Sequence, residues 1–271
     1  MPGVQGLFVG CVSASLNTVD AVICIHCLSW PPQATDWPIR HRNYSWPDSA
    51  TIDRIVSNGC DVVQVAHRQC RRDEWMSKHQ WRLSFSRAEI VLINSWMPVQ
   101  QIINHMLRCF TKTQRLPDIR DNSGAKIFSN YHLKTPMLWA CELKARSWWT
   151  DNLNVVRMCV ELLHTLAIWL TDSRYPQYFI NNCNLFDSTD NYSYLTHVTV
   201  DRLKSISEKW LSEWFIQNYI QNSAQLCPGS VSRLFDNVCT SEDLQKTVSL
   251  VVAHRLLSVK LQAFSFFATG A

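Results

Sequence analysis

The sequence predicts an α+β chain, mainly helical, with its strands confined to the first third. Three observations predict this. Val19 to Ile25 and Asp61 to Val65 are short runs rich in β-branched residues, the pattern of strands. From Ser86 onward the apolar residues fall at helical spacing, as at Val99, Ile102, Ile103, Met106, Leu107 and Phe110. The apolar fraction is 46% over 271 residues, enough for a sizeable buried core.

The elements follow in order. After the first strand come Trp30-Pro31-Pro32, Trp37-Pro38 and Trp46-Pro47. Proline cannot donate to a ladder, so an irregular, tryptophan-anchored stretch is expected. Ser49 is a candidate cap for a short helix through Asp53 to Val56, ended by Gly59. Arg68 to Lys78 is polar and basic and reads as a loop. Ser86 to Ile93 and Val99 to Phe110 are expected helices, and Thr111 to Lys126 a polar linker. Tyr131 to Lys144 is helical. Asp151 to Leu170 is the clearest helix, with Val155, Met158, Cys159, Leu162, Leu163 and Leu166 on one face and Thr150 as its expected N-cap. Val200 to Ile220 and Ser241 to Phe267 complete the set, separated by Cys227-Pro228-Gly229.

Composition narrows the function classes. Charged residues make up 18% and the net charge is +4, a balance that permits an anionic partner without demanding one. With 7 glycines, a glycine-rich phosphate loop is not expected. The 12 tryptophans read as packing anchors. The 11 cysteines are odd in number and irregularly spaced, which argues for reduced thiols rather than a secreted disulfide framework. Met1 to Ser15 has no basic n-region, so no signal peptide is expected. No apolar run approaches membrane-spanning length. The reading is a cytoplasmic protein, with the nucleus as the alternative and no membrane partner.

Several blocks, in order, resemble a known family. They are Val19-Asp20 with Cys27-Leu-Ser-Trp-Pro-Pro-Gln-Ala34, then Trp46-Pro47, then Asn58-Gly59-Cys60-Asp-Val-Val-Gln-Val-Ala-His67. Trp81-Arg-Leu-Ser-Phe-Ser-Arg-Ala-Glu89 is the most specific, and Phe128-Ser-Asn-Tyr-His-Leu-Lys-Thr135 nearly so. Tyr178-Phe179-Ile180 and Asn184-Leu185-Phe186 close the series. Together they are similar to the male-abnormal-21-like family, which includes the cyclic GMP-AMP synthase-like receptors. The resemblance implies remnant strands of a nucleotidyltransferase core followed by a helical bundle domain of helix-hairpin-helix type, with an active site in the cleft between them. It divides the chain into 1–73, a partial core, 74–190, the helical domain, and 191–271, additional helices that no motif covers.

Nucleotidyl transfer stabilises charge on a phosphoryl group through two divalent metals held by carboxylates. The resemblance implies Mg²⁺ or Mn²⁺, an acid-x-acid pair on one strand, a third acid on a later strand and an upstream Gly-Ser turn. Asp20 falls at the third acid, as a catalytic and metal-binding candidate. Its alternative is a strand-end carboxylate satisfied by hydrogen bonds. No two acidic residues anywhere in the chain are separated by one residue. Gly229-Ser230 lies after the helical domain, and no acidic pair follows it. The expectation is an absent catalytic half and a chain inactive alone.

The nucleotide-facing remainder is fuller. The resemblance assigns Arg82, Ser84, Ser86 and Glu89 to base and ribose contacts, and the set is chemically apt: a planar cation, two hydroxyls and an acceptor. If the segment before the helix is extended, Arg82, Ser84 and Ser86 share a face. Alternatively Ser86 is an N-cap, with Glu89 completing a capping box. Tyr131 matches a base-stacking ring, with Ser129 and Asn130 beside it. Its plainer alternative is packing on Trp139. Arg108 matches a phosphate-meeting lysine, or else a solvated helix face. Cys24, His26, Cys27, His67 and Cys70 lack a clean zinc spacing, and Asn94 to Phe128 lacks the zinc insertion of vertebrate cyclic GMP-AMP synthase. No zinc is expected.

Three functional readings follow. In the first, a complete protein of this kind binds ATP or GTP and makes a cyclic dinucleotide signal in innate immunity. In the second, a non-catalytic helical module holds double-stranded nucleic acid or a protein on a basic surface drawn from Arg68, Arg71, Arg72, Lys78, Arg108, Lys112, Arg115, Lys144 and Arg146. In the third, the chain is a developmental protein of the same family. ATP or GTP binding by these residues alone is expected to be weak. The helical portion, about 75 to 225, is expected to be more stable than the strands near Asp20.

Overall fold

A computed structural model of the 271-residue chain describes residues 11–15, 18–22, 24–64, 80–116, 131–150, 155–185 and 194–220. The fold is α+β and mainly helical, as the periodicities predict. It divides into two compact units, one of residues 1–95 and Phe179–Asn182, the other of Trp96–Tyr178 and the residues from Cys183 onward. The motifs divide the chain first at 73/74, whereas these units part between Ser95 and Trp96.

The first unit holds the strands. β1 (Cys11–Ser15) and β2 (Thr18–Val22) pair antiparallel. β3 (Cys24–Cys27), β4 (Cys60–Gln64) and β5 (Trp81–Ser84) form a second antiparallel sheet with β4 in the centre. The single strand expected over Val19 to Ile25 is thus two strands, β2 and β3, in two different sheets. A continuous β-branched run fixes extended backbone but not which edge it pairs with.

Between β3 and β4 the chain makes a 3₁₀ turn (Pro32–Ala34), the short helix α1 (Asp36–Ile39) and α2 (Ser49–Ser57). The cap of α2 is Asp48, not Ser49. Its carboxylate accepts from the Thr51 amide at 2.8 Å and from the Thr51 hydroxyl at 3.1 Å, two bonds where serine offers one. Gly59 follows α2 with φ +65°. A Cβ there would lie 2.0 Å from the Cys27 carbonyl oxygen, so position and conformation both require glycine. α3 (Ser86–Asn94) ends the continuous part of the unit.

The tryptophans of the proline-rich stretch are anchors. Trp30 lies 5.5 Å from both Trp37 and Phe85, and Phe179 stacks on Phe85 at 4.5 Å and 14°. Trp37 is fully buried. Trp46 donates from its indole to the Ser95 hydroxyl at 3.1 Å.

The second unit is helical: α4 (Pro98–Thr113), α5 (Tyr131–Leu143), α6 (Arg146–Thr150), α7 (Val155–Thr171), α8 (Tyr194–Lys204) and α9 (Glu208–Phe215), which runs into a π-helical turn, Ile216–Ile220. α7 is the spine and packs on α4, α5, α8 and α9. All six apolar residues that predicted it are buried, and Val156, Cys159, Leu163 and Ala167 are fully so. Burial of such side chains stabilises by about 1.5–3 kcal/mol each relative to exposure. Thr150 is not the cap of α7. It ends α6, and its hydroxyl donates to the Ser147 carbonyl. The helix expected over Val200 to Ile220 is broken by Ser205–Ser207, where Ser207 accepts from the Trp210 amide as the cap of α9. α4 extends three residues into the expected polar linker. The expected loop at Arg68 to Lys78, Cys227-Pro228-Gly229 and the helix over Ser241 to Phe267 lie outside the described residues.

Pro136 sits inside α5. Having no N–H, it cannot satisfy the His132 carbonyl one turn back. The hydroxyl of Tyr175, itself fully buried, donates to that carbonyl instead. Burial holds the Tyr175 phenol well above its ordinary pKa, so it remains the neutral donor.

Candidate functional site

In the first unit the turn from β5 to α3 carries four of the sequence-predicted residues. Arg82 and Ser84 alternate on β5 and share a face. Arg82 is exposed and Ser84 half-buried. Ser86 opens α3 but does not cap it. The cap position is Phe85, with no side-chain bond, because the chain enters the helix one residue earlier than a serine cap requires. The Ser84 hydroxyl donates to that of Ser86 at 3.3 Å. No capping box forms, and Glu89 is buried at 5% exposure. Phe85, between the two serines, is held by Trp30 and Phe179, so the turn bearing the hydroxyls is fixed from inside.

Beside it lies a cluster that the sequence motifs do not assemble. The register places His26 and Ser84 on either side of Asp61 on β4. The Asp61 carboxylate is buried at 3% exposure. His26 donates from Nδ1 at 2.8 Å, and Arg87 from Nε to both oxygens at 3.0 and 2.9 Å. A buried carboxylate requires such partners, and these tie β3, β4 and α3 together behind Ser84 and Ser86. The legible signal was period two: Asp61 begins an apolar strand run, and Arg87 falls in the first turn of the next helix.

Asp20 lies in β2, opposite Ser13 of β1. Among the described residues no group of three His, Cys, Asp or Glu side chains is placed to hold a metal. Cys24, His26 and Cys27 do not all share a face, since successive residues of β3 point to opposite sides and Cys27 lies opposite Cys24 and His26. His67 and Cys70 lie outside the described residues. The Cys60 thiol is pushed up to about 11, first by burial and then by the neighbouring Cys27 and Asp61.

In the helical unit Tyr131 is the first residue of α5 and half-buried. The Lys134 ammonium lies 5.6 Å from its ring centroid, a cation–π contact on one face. Trp139 packs against Tyr178 at 5.3 Å and donates from its indole to the Pro176 carbonyl. Arg108 is exposed on α4. Ser129 and Asn130 lie outside the described residues.

Two sequence profiles meet close to the Ser95–Trp96 division of the two units. Residues 11–95 match the Mab-21 protein nucleotidyltransferase domain, and residues 100–203 match the Mab-21 protein HhH/H2TH-like domain. The chain belongs to the Mab-21 family. A curated relative, "Protein mab-21-like" of Aedes aegypti, is 30% identical over 166 residues, covering 58% of this chain and 40% of its own length. The chain therefore matches less than half the length of that relative. Against the Mab-21 profiles, Arg82, Ser84, Ser86, Glu89 and Asp20 fall in the nucleotidyltransferase domain, and Arg108 and Tyr131 in the helical one. No helix among the described residues is long and apolar enough to cross a membrane.

Proposed function

We propose that this chain supplies nucleotide-facing elements of a Mab-21 nucleotidyltransferase, taking ATP or GTP against the β5–α3 turn, and that a protein in which the catalytic carboxylates accompany it makes a cyclic dinucleotide signal. The observation that carries this reading is the turn itself. An exposed guanidinium at Arg82 and two hydroxyls 3.3 Å apart stand on a framework pinned by Phe85 and by the Asp61–Arg87 pair. Arg82 donates to a phosphate or a base edge, and the hydroxyls serve ribose or phosphate oxygens. In the helical domain Tyr131 is the candidate stacking ring and Arg108 the candidate phosphate contact. Mg²⁺ or Mn²⁺ would supply charge stabilisation at the phosphoryl group. The described side chains do not assemble a site for it.

Stacking and a few hydrogen bonds contribute about 2–4 kcal/mol, which leaves millimolar affinity at best after the cost of association. NMR titration with ATP and GTP, with and without Mg²⁺, tests this. Metal-independent millimolar shifts that weaken about threefold to tenfold in Arg82→Ala are expected, and micromolar Mg²⁺-dependent binding refutes it. The 271 residues incubated with ATP, GTP and Mn²⁺ are expected to form no dinucleotide above an Asp20→Ala control.

A second reading, a non-catalytic module on a nucleic-acid backbone, is favoured by Arg108, Lys112 and Arg115. These are exposed along α4 and just beyond its end at spacings of four and three, a basic stripe suited to phosphates. Salt-sensitive duplex binding lost in Lys112→Glu would support it.

A further inference from the structure

The β3–β4 pair carries two cysteines on the face opposite the Asp61 cluster. The register sets Cys27 directly against Cys60, and the Cys27 thiol is close enough to help raise the pKa of Cys60. Both are free. Directly opposed residues on antiparallel strands have Cβ atoms about 4.5–5.5 Å apart. A disulfide needs about 3.5–4.5 Å, so closure asks for a shift of about an ångström or less. The backbone there is already drawn in. Gly59, immediately before Cys60, approaches so closely that any side chain on it would strike the Cys27 carbonyl. The pair is also asymmetric. Cys27 is half-buried and open to a reagent, whereas Cys60 is 3% exposed. Cys24 faces the other side of β3, and Cys141 and Cys159 belong to the helical unit.

We infer that Cys27 and Cys60 form a redox-modification site, a dithiol that exchanges with small disulfides such as oxidised glutathione to give a reversible β3–β4 cross-link. The Cys27 thiolate attacks one sulfur of glutathione disulfide, forming a mixed disulfide and releasing one glutathione thiolate, which takes up a proton. Cys60 then loses its proton to solvent and attacks the Cys27 sulfur, expelling the second glutathione thiolate. In sum, two protein thiols are oxidised to one disulfide and one glutathione disulfide is reduced to two thiols. Cys27 acts first because it is reachable, and Cys60 resolves because it is adjacent. The cross-link ties together the two strands whose opposite faces carry His26 and Asp61.

The test equilibrates the 271-residue chain in glutathione buffers of graded ratio, traps free thiols by alkylation in denaturant, and maps peptides without reduction. In oxidising buffer, alkylation of Cys60 should fall about tenfold, with a Cys27–Cys60 linked peptide in its place that dithiothreitol removes. Cys27→Ser should leave Cys60 a thiol at every ratio. Cys60→Ser should stop at one glutathione on Cys27, and Cys24→Ser should leave the link intact. Circular dichroism confirms that each variant is folded. Should Cys60→Ser fail to fold, Cys27→Ser decides alone. A Cys60 that stays fully alkylatable in the most oxidising buffer overturns the inference, as does a Cys60 linked in the unsubstituted chain to any cysteine other than Cys27.

Discussion

Tyr175→Phe removes one oxygen and leaves ring packing in place, so it isolates the hydroxyl that satisfies the His132 carbonyl. Tyr175 is fully buried and His132 only 7% exposed, so water does not readily replace the lost donor. An orphaned buried acceptor costs about 1–3 kcal/mol, and about 2 kcal/mol is expected here. The origin of the orphan is Pro136, so a second, opposite lever exists. Pro136→Ala supplies an N–H one turn after His132, and α5 can then close its own hydrogen bond. Alone it is expected to be near neutral, because the regained bond is offset by about 0.4–1 kcal/mol of added unfolded-chain entropy. In the Tyr175→Phe background it should restore about 1–2 kcal/mol, a coupling well above the error of a double-mutant cycle. The assay is equilibrium urea unfolding followed by far-ultraviolet circular dichroism. With a slope of about 2–3 kcal/mol per molar, Tyr175→Phe should lower the midpoint by about 0.7–1 M. A Tyr175→Phe variant within about 0.5 kcal/mol of the parent refutes the reasoning. So does a Pro136→Ala change that further destabilises it.

Four further outcomes are expected. Asp61→Asn should cost about 2–3 kcal/mol, below the range of a fully buried pair because Arg87 is 35% exposed, and should speed hydrogen exchange in β3 and β4; unchanged exchange there would count against it. Gly59→Ala should destabilise by more than about 2 kcal/mol in the same urea assay, since it combines a left-handed φ with a 2.0 Å contact on backbone. Amide exchange should be slower across Val155–Leu166 than across Val19–Val22, because α7 is packed on four helices while β2 pairs in a two-stranded sheet. The raised Cys60 pKa favours its neutral thiol in the fold, so its share of stability is present below about pH 9 and declines as pH rises through about 11; titrated stability of Cys60→Ala should decline less over that range, the buried Tyr175 and other thiols supplying the rest.

The helices were legible because their burial is local: each apolar residue of α7 announces its face by spacing alone. The strand-to-helix turn at Arg82–Glu89 was legible as a motif and as extended backbone followed by helix. What the sequence could not convey was pairing. Nothing in Val19 to Ile25 says that the run splits between two sheets. Nothing in His26, Asp61 or Arg87 singly says that a carboxylate on a central strand will collect both partners, because the register that joins them is a tertiary property. Ser49 and Ser86 both have the chemistry of caps, yet Asp48 and Phe85 hold those positions. A cap is set by where the backbone turns, and neighbouring polar residues compete for it.

Phe179–Asn182 belong to the first unit although the chain reaches them only after α4, α5, α6 and α7 of the helical unit have been passed. Phe179 stacks on Phe85 and meets Trp30 and Trp37, and the Asn181 side chain donates to Asp36 at 3.0 Å. This bears on the order of synthesis. A ribosome that has delivered Ser95 still lacks the ring that completes the aromatic cluster, and at about 5–20 residues per second it supplies that ring roughly 4–17 s later. During that interval the nascent first unit carries an unfilled apolar gap beside Phe85, a surface of the kind that chaperones engage. The first unit is therefore finished by a segment translated within its second.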